Sequence, residues 1–272
     1  MSKKPLVSVL TPAYNAEKYL VETIEGILSQ SFSDFEFIII DDRSTDKTWQ
    51  IIKEYAKKDT RIIPLQNEKN LGIAGNRNKG LKYAQGEYIV WQDADDISLP
   101  DRLEKQVSFM QEHKDVAICG GFIQFFDYTG LGGVRKYKPD DNSLRKTIFR
   151  FSPVAQPAAI IRKSCLDEVG SYDLEFPPAE DLDMSFRLGR KYKFANIQSV
   201  VLRYREHPNS ATFSKLRRME LLTLKIRKKH AKDSGYKMTI GDKIFNFLQF
   251  ISIYLFPPNL KIKIFNFFRN DK

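Results

Sequence analysis

Cysteine is scarce in this chain: Cys119 and Cys165 are the only two among 272 residues. Two thiols make no disulfide framework, and neither stands in a metal-type cysteine spacing, so a reducing compartment such as the cytoplasm is expected. Histidine is as sparse, at three. Long apolar runs are also missing. The best candidate, Ile244 to Phe256, is interrupted by Asn246, Gln249 and Ser252 and stays short of the roughly 18–20 residues needed to span a bilayer. The opening stretch MSKKPLVSVLTPAYN runs from two lysines into a strand-like segment and carries no signal-peptide pattern. No G-x-G-x-x-G follows the first strand, which disfavours dinucleotide-dependent redox chemistry.

What the chain does have is 42% hydrophobic residues, with 20 Phe and 12 Tyr, enough for a sizeable core. Its net charge of +10 is unevenly spread. From Leu216 to Lys272 there are 13 Lys+Arg against 4 Asp+Glu, which leaves the preceding body nearly neutral. That basic tail also holds seven of the Phe residues, so it is not a simple solvated charge run.

The first hundred residues alternate between two periodicities. Leu6 to Leu10, Phe35 to Ile40, Arg61 to Leu65 and Tyr88 to Gln92 read as strands, and Ala16 to Gln30, Asp46 to Lys57 and Ala74 to Ala84 as helices. Strands joined by helical crossovers imply a mostly parallel α/β sheet flanked by helices, with ligands bound beyond the carboxyl ends of the strands. Beyond Pro100 the pattern predicts a helix over Arg102 to Glu112 and a long strand over Val116 to Phe126, followed by a turn at TGLGG, residues 129–133. Helices are expected over Asn142 to Phe149 and Asp181 to Lys191, a strand over Val200 to Arg205, and helices from Ser214 onward.

The carboxyl ends of the strands carry polar clusters: TPAYN at Thr11 to Asn15, DDRSTD at Asp41 to Asp46, and DADD at Asp93 to Asp96. All three project to one rim. Three carboxylates crowded at the mouth of a buried strand repel one another and resist desolvation, so a positive partner is required. Nothing in the adjoining sequence supplies one. Two acids one residue apart can point oxygens at a single hard cation, Mg2+ or Mn2+, whose shell phosphate oxygens would complete.

Six segments in order, VSVLTPAYNAEKYL, FIIIDDRSTDKT, NLGIAGNRNKGL, GEYIVWQDADD, AEDLDMSFRL and YREHPNSAT, resemble the inverting glycosyltransferases of family two, which have the GT-A nucleotide-sugar-binding fold. The resemblance covers roughly Leu6 to Thr212. It implies a donor half at residues 1–100 and an acceptor and catalytic half at 101–215, while the charge shift alone sets off a basic amphipathic helical tail at 216–272. It places the nucleotide against Tyr14, the backbone of Pro12 and Ala13, Asp41 or Asp42, and Arg77, with Gly72 and Gly75 allowing close backbone approach. Asp95 and Asp93 would meet the metal, Asp93 facing ribose or metal, and His207 would reach the metal from the other side. Asp181 would be the general base and Glu180 would orient the acceptor. Asp96 is expected to cap the turn at Ile97 to Arg102, and Asp183 to be an ordinary helix acid. The chain departs from the family at Arg43, where Gly is commoner, and at Gln156, where His or Asn is common.

The expected activity is metal-dependent transfer of a hexose or N-acetylhexosamine from a UDP-linked sugar to a sugar hydroxyl of a surface glycan, with inversion. A sugar-phosphate nucleotidyltransferase is the first alternative, disfavoured because TPAYNAEKYL is not a Gly-rich, lysine-bearing phosphate loop. A non-catalytic nucleotide-binding membrane scaffold is the second. The tail mixes Phe, Ile and Leu with Lys and Arg, as suits helices lying on an anionic membrane surface. Packing onto the body or forming an oligomer interface is the competing use. A lipid-linked glycan acceptor at the inner face of the cell membrane would fit the first use; nucleic acid is not an expected partner.

Overall fold

A computed structural model describes residues 4–208, 210, 214–233, 235–257, 260–262 and 270–271. In chain order the elements are β1 (Val7–Ala13), α1 (Leu20–Leu28), β2 (Phe35–Asp41), α2 (Thr48–Lys58), β3 (Ile62–Gln66), α3 (Gly72–Tyr83), β4 (Tyr88–Trp91), β5 (Ile97–Ser98), α4 (Arg102–Glu112), β6 (Val116–Asp127) and β7 (Gly130–Arg135). Then follow α5 (Asp141–Arg145), a 3-10 turn at Gln156–Ala158, β8 (Ile160–Arg162), α6 (Lys163–Val169), α7 (Glu180–Gly189), β9 (Lys193–Arg205), α8 (Leu216–His230), α9 (Ile240–Leu255) and β10 (Asn270–Asp271).

The predicted parallel unit is present as β3-β2-β1-β4. Its strands are apolar on both faces. In β2, Ile38 and Ile40 enter one core while Phe37 and Ile39 enter the other; in β4, Ile89 and Trp91 are opposed to Tyr88 and Val90 in the same way. That period of two inside a continuous apolar run is what a sheet covered on both sides requires.

The other half of the sheet is antiparallel where it joins. β8 pairs with β4 on one edge and β6 on the other, and the long β6 also pairs with β7 and runs parallel to β9. The three residues of β8 are too few to show a period, and proline-rich surroundings hide them in the sequence. The TGLGG segment is mostly strand: the turn sits at Tyr128 and Thr129, where the Asp127 carboxylate accepts from the Thr129 N–H at 2.7 Å, and Gly130 opens β7. β9 begins seven residues before the expected Val200.

The two tail helices dock on the body. Asp183, in α7, is fully buried and accepts from Arg187 Nε at 2.8 Å, from Lys229 Nζ at 2.9 Å and shares a 2.9 Å hydrogen bond with His230 Nε2. His230 also stacks on Phe186, with ring centroids 4.7 Å apart. Asp183 is therefore a fastener for α8, not an ordinary helix acid, and these partners hold its carboxyl well below the usual range against the opposing effect of burial. The expected helix over Leu260 to Phe268 lies largely outside the described residues.

Candidate functional site

The carboxyl ends of β1, β2 and β4 form one rim, as expected. Its first part is stitched together by loop residues. Asn15, with φ 49°, donates its N–H to Ser44 Oγ at 2.9 Å and accepts from the Thr45 N–H at 2.9 Å, while the Asp42 N–H donates to the Ala13 carbonyl at 2.8 Å. Pro12 and Ala13 are buried in β1, and Tyr14 stands 53% exposed just past its end. Arg43 takes the left-handed conformation at φ 63°. A side chain is strained there and glycine is not, which gives the family's preference for Gly a backbone cause.

Asp41 and Asp42 are both buried, and their carboxylates already serve the chain. Asp41 accepts from the Ser44 N–H at 3.2 Å and from Gln66 Nε2 at 2.9 Å. Asp42 accepts from Asn67 Nδ2 at 2.6 Å and from the N–H groups of Leu71 and Gly72 at 2.8 and 2.9 Å, so it anchors the start of α3. Gly72 adopts φ 71° at that start. An added Cβ would lie 2.8 Å from Leu71 Cβ at Gly75 and 2.9 Å from Ile40 Cδ1 at Gly80, so both glycines let α3 pack closely.

α3 carries the run Asn76-Arg77-Asn78, and each side chain ties a different part of the site. Asn76 donates to the Ile40 carbonyl of β2 at 2.9 Å. Asn78 exchanges two 2.8 Å hydrogen bonds with the backbone of Tyr172. Arg77 is almost wholly buried, donates to Glu180 Oε1 at 2.7 Å and reaches Asp93 Oδ1 at 3.5 Å. Its guanidinium lies over the rings of Trp91 and Tyr172, 5.3 and 5.7 Å from their centroids. Burial works against its charge, but the carboxylates of Glu180 and Asp93 outweigh it and hold the guanidinium protonated. Sequence reading placed Arg77 against the nucleotide and missed that it bridges two acids 87 positions apart. It also missed Tyr172, whose hydroxyl is bonded to Gln156 Nε2 at 2.6 Å and whose ring closes the cage. The three consecutive polar residues amid glycines were the available signal.

The DADD cluster has more positive company than its neighbouring sequence discloses. Arg77 faces Asp93. Arg102, fully buried, donates to the Trp91 carbonyl at 2.9 Å and to Ser98 Oγ at 2.9 Å, behind Asp96; burial depresses its pKa to about 9. Arg205 donates from Nε to the Asp95 carbonyl at 2.8 Å, and its N–H donates to Asp96 Oδ1 at 2.9 Å. Asp96 thus pins the end of β9 instead of capping the turn after it. Its Oδ2 has no partner among the described residues, and burial next to Asp95 and Asp93 raises its carboxyl well above the ordinary value.

Asp93 and Asp95 are the partly exposed members, each with about one-third of its side chain open. Asp93 is pushed up to about 6 by burial, Arg77 opposing and the neighbouring acids adding to the rise. Asp95 Oδ2 lies 2.8 Å from His207 Nε2, and the His207 ring packs on Tyr19 with centroids 4.9 Å apart. The three side chains expected to meet a cation therefore converge on one rim. Among the described residues no group of three or more His, Cys, Asp or Glu is placed to hold a metal ion. Carboxylates and an imidazole are ligand types that would suit a hard divalent ion only with further oxygens, such as those of a diphosphate, completing the shell.

Glu180 and Asp181 open α7, where Ala179 holds the N-cap position and no side chain caps the helix. Glu180 is buried on Arg77, its Oε2 lacks a partner among the described residues, and burial raises its carboxyl despite Arg77. Asp181 is half-buried and is raised by burial likewise, with Arg77 and backbone N–H groups opposing.

Residues 8–170 match the family model for Glycosyl transferase family 2. An uncharacterized glycosyltransferase of Methanocaldococcus jannaschii is 36% identical over 239 residues, covering 86% of this chain and 82% of that protein. The Escherichia coli UDP-Glc:alpha-D-GlcNAc-diphosphoundecaprenol beta-1,3-glucosyltransferase WfaP is 32% identical over 217 residues, covering 79% and 82%. S. aureus TarS 1–349, solved in complex with UDP, superposes with a TM-score of 0.69 at 22% identity over 93% of this chain and 73% of that one, a likeness of fold. With the family model spanning more than half of the chain and the rim motifs in place, the chain belongs to glycosyl transferase family 2 and is a glycosyltransferase.

Proposed function

We propose that the chain transfers a hexose or N-acetylhexosamine from a UDP-linked sugar to a hydroxyl of a surface glycan, carried on a lipid diphosphate at the inner face of the cell membrane, in one inverting displacement. The observation that carries the reading is the Arg77 bridge, at 3.5 Å to Asp93 and 2.7 Å to Glu180. It ties the donor rim at 1–100 to the α7 acids of the acceptor half at 101–215 through a single charged group. The acceptor class follows the activity in the name of the E. coli relative.

In this reading the base stacks on Tyr14 over Pro12, Ala13, Asp41 and Asp42, and Asp93, Asp95 and His207 would hold the divalent ion that carries the diphosphate. When bound, Mg2+ or Mn2+ neutralises charge on the departing diphosphate. Asp181 takes the proton of the acceptor hydroxyl as its oxygen attacks the anomeric carbon. The bond to the diphosphate breaks and its electron pair leaves with the nucleotide. Glu180, fixed on Arg77, orients the acceptor. With one base and no enzyme nucleophile, the anomeric centre inverts.

Screening UDP, GDP and dTDP sugars for thermal stabilisation and slow hydrolysis, with and without Mg2+ or Mn2+, tests the reading. UDP sugars with metal are expected to give both effects. A chain that no nucleotide sugar stabilises would refute it.

A further inference from the structure

Helix α9 is built inside out. Its face toward the body is largely polar, with Phe245 packed edge-on against Phe151 at a centroid distance of 5.6 Å. Asp242 accepts from Arg150 Nε at 2.6 Å, Asn246 Nδ2 donates to the Phe149 carbonyl at 2.9 Å, and Gln249 Oε1 accepts from Arg227 Nη1 at 2.8 Å, with Ile253 buried at the last turn. The face toward solvent is apolar. Ile240, Ile244, Phe247, Leu248, Tyr254 and Leu255 form one stripe at helical spacing and are between 55% and 76% exposed. A helix held by a buried arginine, one ion pair and the Phe245–Phe151 contact does not need such a stripe for its own attachment, and contiguous exposed apolar surface of this kind marks a contact with something apolar.

Charge identifies the occupant. The described acids of this region are turned inward: Glu220 pairs with Lys261, Asp233 with His230, and Asp242 with Arg150, with side chains 13%, 26% and 3% exposed. Lys215, Arg217, Arg218, Lys237 and Lys243 are exposed. Lys243 adjoins the start of the stripe, and the Arg217 guanidinium lies 4.9 Å from the Tyr254 ring centroid at its far end. A second copy of α9, paired in either direction, would set cation against cation at both ends. An anionic surface gains at both ends. The 16-residue helix cannot span a bilayer, and no described helix is long and apolar enough to do so.

We propose that α9 lies in the plane of an anionic lipid bilayer surface, its outward stripe at the acyl boundary and the cations at both ends among the lipid phosphates. This deepens the lipid-linked acceptor reading, but its geometry stands on α9 alone. The test is flotation of the full chain, without nucleotide sugar, on vesicles of phosphatidylcholine and of phosphatidylcholine with one-third phosphatidylglycerol. Binding at least tenfold stronger to the anionic vesicles is expected. It should be abolished in Phe247→Ser/Leu248→Ser and weakened at least tenfold in Arg217→Glu/Lys243→Glu. Both variants change exposed residues, and each should keep its thermal shift with UDP, which separates this result from failure of the donor reading. A Tyr254→Trp reporter should move to shorter emission wavelength on the anionic vesicles. Equal flotation of the parent chain and the stripe variant would overturn the proposal. So would a dimer in solution that the stripe substitutions dissolve.

Discussion

Replacing Arg77 by methionine tests the centre of the site. The substitution keeps most of the apolar volume against Trp91 and Tyr172 and deletes the charge between Glu180 and Asp93. At the 2.7 Å contact with Glu180, the attraction is about 6 kcal/mol for an effective dielectric constant of about 20. Desolvation of both groups offsets much of this, and the measured cost of removing one partner from such a pair is about 3–5 kcal/mol. At about 2–4 °C per kcal/mol for a chain of this size, that is a fall in Tm of roughly 10 °C at neutral pH. The pH dependence carries its own sign. Arg77 pulls the raised Glu180 and Asp93 carboxyls downward, so without it both rise further above their unfolded values. Their ionised forms then penalise the folded state, and the penalty vanishes as pH falls toward the unfolded carboxyl range. Urea denaturation at pH 8 and pH 5 should show the larger deficit at pH 8, and Arg77→Met/Glu180→Gln should recover part of it. A deficit below about 1 kcal/mol, or one equal at both pH values, refutes the reasoning.

Asp183→Ala removes the acceptor shared by Arg187, Lys229 and His230 and should cost about 3–5 kcal/mol, with hydrogen exchange in α8 rising before that of the sheet. Because Asp183 is held below its unfolded value, its contribution is present above about pH 4 and is lost as pH falls through the folded value, so acid should loosen α8 in the parent chain too. Asp96→Asn should behave oppositely. The parent carboxyl is raised, so its ionisation costs stability as pH climbs from the unfolded value, and the amide should gain on the parent between pH 4 and pH 8 in urea melts without nucleotide or metal.

The parallel half of the fold was legible because its strands are apolar runs separated by helical segments, with a clear apolar face on α1. Leu20, Ile24 and Ile27 of α1 are buried where the spacing put them. The rim was legible for the same reason, since a parallel sheet sends all its carboxyl ends one way. What the sequence hid were partners brought in from a distance. The carboxylates at Asp93 to Asp96 looked uncompensated because Arg77, Arg102 and Arg205 lie on α3, α4 and β9, and a guanidinium's reach depends on packing that local periodicity does not encode. Asp183 looked ordinary because acids in a first helical turn are usually solvated, and two of its partners, Lys229 and His230, stand 46 and 47 positions away. The tail was readable as helical and amphipathic; that α9 would turn its polar side inward depended on Arg150 and Arg227 being there to receive it.

The central claim is that Asp181 is the base of a single displacement. Asp181→Asn keeps the shape and removes the proton acceptor, so kcat for transfer from a UDP sugar should fall by roughly 10²–10⁴-fold while UDP binding with metal stays within about twofold. The parent product, read by the anomeric coupling in its NMR spectrum, should have the configuration opposite to the donor. Undiminished turnover in Asp181→Asn, or a product that retains the donor configuration, would contradict the account.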